Sequence, residues 1–235
     1  MKQFQGKVVV LTGAAGNLGV AVAGAFADAG ATLLLIDVNE PSLKRAYPES
    51  NALLHPLALD ILDPNAVASA MKSLLEKLGK VDVLCNLAGG FRMGTPVHDT
   101  PAESWKFLMD LNAVSILHMT QALVPNMLAS GGGKIINVAA QAGLSGRALM
   151  GAYSASKSAV IRLTESMAAE LRDSGINVNC VMPSIIDTPL NRNDMPDADF
   201  SKWVAPAALA DAILFLASDA ARAVHGAALP VYGLS

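Results

Sequence analysis

Val8-Val9-Val10-Leu11-Thr12-Gly13-Ala14-Ala15-Gly16-Asn17-Leu18-Gly19 sets the fold: an apolar run, a glycine-punctuated turn, then a segment rich in Ala and Val. Apolar residues without polar alternation mark a strand buried on both faces, as in a parallel sheet covered by helices. The glycines allow a tight turn, close approach of backbone to a diphosphate, and close packing of helix on strand. The following helix contributes free N–H groups and partial positive charge. Asp37 closes the next apolar run, 24 residues after Gly13. There a carboxylate accepts hydrogen bonds from a ribose diol and repels a 2′-phosphate. No Arg or Lys follows within six residues, so the reading favours NAD(H) over NADP(H).

The strand–helix alternation continues along the chain. Lys7–Thr12, Thr32–Asp37, Leu53–Asp60, Val81–Asn86, Lys134–Ala139, Ile176–Met182 and Ala227–Tyr232 read as seven parallel strands. Asp63 is expected to cap a helix with Pro64 in its first turn, and Thr100-Pro101-Ala102-Glu103 reads as a capping box. Gly131-Gly132-Gly133 should end a long helix. Ser184–Lys202, rich in Asn, Asp and Pro, reads as irregular, and residues 184–203 as a substrate lid. One domain, 1–235, is expected.

Composition limits what such a domain does. The chain has 235 residues, net charge −3, and no basic cluster, which argues against nucleic acid as a partner. Hydrophobic residues make up 52% and charged residues only 16%, too little charge to cover a monomer, so a homodimer or homotetramer is expected. Glycines and polar residues interrupt the apolar stretch Val8–Ile36, leaving neither a membrane span nor a signal core there. A cytoplasmic location is the corresponding expectation. Cys85 and Cys180 read as core thiols. The four histidines lack partners at ligand spacing, so no metal site is expected.

Tyr153-Ser154-Ala155-Ser156-Lys157 places a phenol and an ammonium on one helix face. The positive charge is expected to lower the phenol pKa, making Tyr153 a general acid/base with Lys157 as modulator and ribose ligand. Met93 and Met150 flank the expected pocket, while the other methionines read as core filler.

Taken together, Thr12-Gly13, Gly19, Asn86-Leu87-Ala88-Gly89, Tyr153/Lys157 and Pro183-Ser184-Ile185-Ile186-Asp187-Thr188 resemble the short-chain dehydrogenases/reductases over essentially the whole chain. The middle glycine of the family turn has moved to Gly16, with Asn17 in its usual place. The resemblance implies a single-domain Rossmann fold, a doubly wound seven-stranded parallel sheet of order 3-2-1-4-5-6-7. It implies a cofactor held by Gly13, Gly16, Asn17, Leu18, Gly19, Asp37, Asp60, Ile61, Asn86, Ala88, Gly89, Tyr153, Lys157, Pro183, Ile186 and Thr188. It makes Asn112 a relay toward Lys157; the alternative reading of Asn112 is a helix-capping residue.

The family's catalytic Ser falls on Ala140, and Ser145 replaces it only if its loop folds back. Asp187–Trp203, Ala88-Gly89-Gly90-Phe91 and Gly151-Ala152-Tyr153 are similar to the quinonoid dihydropteridine reductases, a branch that also carries Ala there. Substrate contacts are then expected from Ala140, Phe91, Met150, Tyr153, Asn191 and Met195. The expected activity is hydride transfer to a small conjugated acceptor. The alternatives are an enzyme acting on carbonyls or alcohols, and a non-catalytic NAD-binding regulator.

Overall fold

The computed structural model describes residues 2–48 and 51–235. Seven strands form one parallel sheet: β1 (Val8–Thr12), β2 (Thr32–Asp37), β3 (Leu54–Ala58), β4 (Val83–Asn86), β5 (Gly133–Val138), β6 (Ile176–Pro183) and β7 (Ala228–Val231). Their order is β3-β2-β1-β4-β5-β6-β7, as expected for the doubly wound fold. The strands differ from the expected spans by one to two residues at most ends. The helices are α1 (Asn17–Asp28), α2 (Glu40–Ala46), α3 (Pro64–Leu78), α4 (Ala102–Met109), α5 (Ser115–Ala129), α6 (Gly151–Leu171), α7 (Pro189–Asp194) and α8 (Pro206–Ala217).

Alternation along the strands supplies two cores. Val9, Leu11, Leu33 and Leu35 face Val22 and Phe26 of α1, Leu43 of α2, and Leu209 and Ile213 of α8. Val8, Val10, Leu34 and Ile36 face Val67 and Met71 of α3 and Met119, Leu123 and Met127 of α5. Burying both faces explains the continuous apolar strands. A π-helical turn, Asp110–Val114, joins α4 to α5 into a continuous helix from Ala102 to Ala129. By length and composition that helix is apolar enough to cross a membrane. Here its buried residues Leu108, Ile116, Met119 and Leu123 pack inside the protein.

Two local expectations are corrected. Asp63 does cap α3, accepting from the Asn65 and Ala66 amides. Thr100, by contrast, caps nothing: its hydroxyl donates to the Pro96 carbonyl and Pro101 stands at the helix boundary. Ser184–Lys202 is also not irregular. It contains α7, capped by Thr188, and a 3₁₀ turn at Phe200–Lys202 capped by Asp199.

Candidate active site

The C-terminal ends of β1, β4, β5 and β6 share one level of the sheet, where Thr12 pairs with Asn86, Asn86 with Asn137, and Asn137 with Cys180. Thr12 Oγ1 accepts from the Leu87 and Ala88 amides, tying the turn after β4 to the turn after β1. The Asn86 amide donates to Asn137 Oδ1 at 2.9 Å, and Asn137 donates to Thr164 Oγ1 on α6, also at 2.9 Å. Asn86, expected among the cofactor contacts, is thus buried and holds β4 to β5.

Beyond β1 the chain turns under tight steric limits. Gly13 has φ +67, and a Cβ at Gly19 would lie 2.2 Å from the Gly13 carbonyl. No side chain caps α1 at Gly16, and the first helical backbone bond is Val20 to Gly16, so the Asn17, Leu18 and Gly19 amides point out unpaired. Asp37 accepts from the Ala15 amide with one oxygen and from the Asn39 amide with the other, fixing its carboxylate beside this turn. Tyr47, not singled out from sequence, donates to the Ala14 carbonyl at 2.7 Å. Burial and the nearby Asp37 charge push its phenol up to about 12, so it stays a donor. Only its spacing of 33 residues from Ala14 hid this contact. A diphosphate cradle walled by glycine backbone, with a fixed carboxylate alongside, fits a dinucleotide. Asp60 is exposed at the same sheet edge, and Ile61 is buried beside it with its carbonyl bonded to His118.

The reactive pair sits on α6. Lys157 is 5% exposed, and its ammonium donates to the Val138 carbonyl at 2.9 Å. Desolvation lowers its pKa to about 8. Its Nζ lies 6.0 Å from the centre of the Tyr153 ring. Contrary to the expectation from sequence, the Tyr153 phenol is pushed up to about 12 by burial, which disfavours the phenolate. Neutral phenol is therefore the resting form.

Asn112 lies in the π-helical turn and is 1% exposed. It is not a cap. Its carboxamide brackets Gly90, accepting from the Gly90 amide at 2.8 Å and donating to the Gly90 carbonyl and to Ser156 Oγ. Ser156 in turn donates to the Tyr153 carbonyl. The side chain thus joins the loop after β4 to the helix carrying Tyr153 and Lys157. A Cβ at Gly89 would lie 2.9 Å from Asn112 Oδ1 and 3.2 Å from Lys157 Nζ, so only glycine lets that loop pass. Phe91 then reaches Tyr153, their rings edge to face at 4.8 Å.

Ala140 is buried just beyond β5, where the expected hydroxyl is replaced by a methyl group. Ser145 is exposed, so its loop does not fold back to substitute. Across the cleft, Pro183 ends β6, Ile186 bridges to Val204, and Thr188 caps α7. Asn191 donates to the Ile186 carbonyl, so its amide stabilises this segment from within. Met195 is half-buried at the end of α7. Trp203 is buried against Phe200.

The family model for short chain dehydrogenases matches residues 7–199. The chain belongs to the short-chain dehydrogenase/reductase family. Within that family it is 32% identical to the 3-oxoacyl-[acyl-carrier-protein] reductase of Thermotoga maritima, over 98% of both chains. A solved NAD⁺-bound xylitol dehydrogenase superposes with TM-score 0.92 at 27% identity, covering 99% of this chain and 100% of that one. A gluconate 5-dehydrogenase from Burkholderia cenocepacia, in complex with NADP and tartrate, gives TM-score 0.89 at 30% identity, covering 98% and 95%. Membership makes the chain an NAD(P)-dependent oxidoreductase. Among the described residues no group of His, Cys, Asp or Glu is arranged to hold a metal.

Proposed function

We propose that this enzyme is an NAD(H)-dependent reductase of small conjugated acceptors such as quinones, imines or quinonoid dihydropterins. The observation that carries the reading is Ala140: the proton donor and its lysine are retained while the second hydroxyl is gone. When bound, the nicotinamide supplies the hydride. The residues of the α1 turn, together with Asp37, Asp60, Ala88, Gly89, Lys157, Pro183, Ile186 and Thr188, would hold the cofactor.

Tyr153 keeps its proton at every physiological pH and donates it as negative charge develops on the acceptor. The resulting phenolate is then compensated by the Lys157 ammonium. An isolated ketone concentrates charge on one oxygen, and losing one donor there costs about 10²–10³ in rate. A conjugated ring spreads that charge and tolerates a methyl group at Ala140. The likeness of residues 88–91 and 187–203 to the quinonoid dihydropteridine reductases supports this reading.

The fixed Asp37 carboxylate supports NAD(H) over NADP(H). A homodimer or homotetramer in the cytoplasm, with a small-molecule substrate and without nucleic acid or membrane partners, completes the proposal. The names of the relatives favour a second reading, oxidation and reduction of alcohols and carbonyls. A non-catalytic regulator is weakened by retention of Tyr153, Lys157 and Asn112.

Ala140→Ser separates these readings. Ketone reduction should rise about tenfold or more while quinone or dihydropterin turnover changes less than about threefold, since one donor matters only where charge localises on oxygen. Ordinary dehydrogenase rates on simple ketones by the native enzyme would establish the second reading instead. Absence of NADH oxidation with all acceptors would point to a regulator.

A further inference from the structure

A pocket of about 210 Å³ opens at Arg92 and Met93, between the loop after β4 and the start of α6. Its walls include Arg92, Thr95, Thr100, Ser104, Gly151 and Ala152, and no carboxylate lines it. Gly151 and Ala152 immediately precede Tyr153 in α6, so the pocket wall lies one to two residues from the candidate proton donor.

Arg92 is the pocket's charge. Its guanidinium stacks over the Phe107 ring at 4.1 Å and donates to Ser104 Oγ at 3.2 Å. Stacking holds the planar fork in place while leaving its other N–H groups free. Among the described residues no carboxylate lies within salt-bridge distance of Arg92. An arginine fixed in position without a carboxylate partner, at the wall of a cavity, is ready for a carboxylate from elsewhere.

Two features of the backbone reinforce it. No side chain caps α6 at Met150, and the first helical backbone bond runs from Ser154 to Met150. The three amides before Ser154 therefore add unpaired donors at a wall of the pocket. Just before them in the chain, Leu149 holds a left-handed backbone at φ 63, and its carbonyl accepts from the Gly94 amide at 2.9 Å. Only this side-chain-bearing residue is so strained among the described residues. The Gly94–Leu149 bond joins the loop that carries Arg92 to the loop leading into α6.

We propose that this pocket is a subsite for an acid group on the substrate, a carboxylate or sulfonate held by Arg92 while Tyr153 serves the reacting atom. The assignment of the substrate rests on the reductase reading above; the subsite itself is tested by binding alone. Benzoate and benzamide share one shape and differ in charge. On enzyme saturated with NAD⁺, benzoate should bind at least tenfold more tightly than benzamide. Arg92→Met should reduce that preference below about twofold and leave NADH affinity within twofold.

Equal binding of benzoate and benzamide by the native enzyme, or an unchanged preference in Arg92→Met, would overturn the subsite. Should Arg92→Met fail to fold, a salt series on native enzyme decides, because a benzoate preference that does not fall with salt cannot come from an arginine at the pocket wall. Turnover of 1,2-naphthoquinone-4-sulfonate against 1,2-naphthoquinone reports separately on the chemistry. Benzoate selectivity without turnover of either quinone sinks the reductase reading and keeps the subsite; turnover of both at equal kcat/KM, with no benzoate selectivity, does the reverse.

Discussion

The proposed cofactor preference and chemistry turn on two single residues, Asp37 and Lys157. Each Asp37 oxygen already accepts a backbone amide, so the carboxylate cannot swing aside for a 2′-phosphate without breaking those bonds. NADH should bind at least tenfold more tightly than NADPH, about 1.4 kcal/mol, by fluorescence titration. Asp37→Ser should narrow the gap. Lys157 carries the opposite tension, a charge buried with a carbonyl as its partner. Its pKa falls from 10.5 to about 8, a penalty of roughly 3 kcal/mol at neutral pH. In the window between these values the unfolded chain binds the extra proton, so the stability contribution of Lys157 rises with pH from about 8 to 10.5. Lys157→Met should therefore raise the melting temperature of the cofactor-free protein by about 5 °C at pH 7 and abolish NADH turnover. A lower melting temperature would mean that the Val138 bond outweighs desolvation.

At the scale of elements, the proposed lid 184–203 is held together by contacts of its own. Asp187 and Arg192 form a two-pronged ion pair, Arg192 stacks on Phe200 at 4.9 Å, and Phe200 packs on Trp203. These contacts tie the segment to itself, and the Ile186–Val204 bridge joins its two ends. Amide exchange across 188–202 should slow at least fivefold with NADH bound; equal exchange would count against a lid. The strands were legible in the sequence because burial on both faces writes unbroken apolar runs, and α3 because its cap is local. Thr100 misled because a competing local partner, the Pro96 carbonyl four residues back, won its hydroxyl. The Thr188-Pro189 start of α7 was legible in principle but lay among residues that suggest irregularity. Tyr153 and Lys157 were marked by their four-residue spacing, and Asn112 by the family resemblance alone. Arg92, Tyr47 and Ser156 were not, since their roles rest on contacts reaching 12, 33 and 44 positions along the chain.

For the whole molecule, the deficit of surface charge has a location. Trp105, Leu117 and Leu128 project exposed from α4 and α5, and Phe215 from α8. These exposed apolar faces are where the proposed symmetric interface between copies is expected. Light scattering at micromolar concentration should give two or four times 24.3 kDa; a monomer would leave the 16% charged fraction unexplained. The row running from Thr12 through Asn86 and Asn137 to Thr164 has a different consequence. Sliding β5 by one residue against β4 would turn two carboxamides toward apolar side chains with no mate, at about 1–3 kcal/mol for each orphaned group. The row therefore works as a keyway: the sheet assembles in one alignment, and that alignment delivers the helix bearing Tyr153 to the same height as the glycine turn after β1.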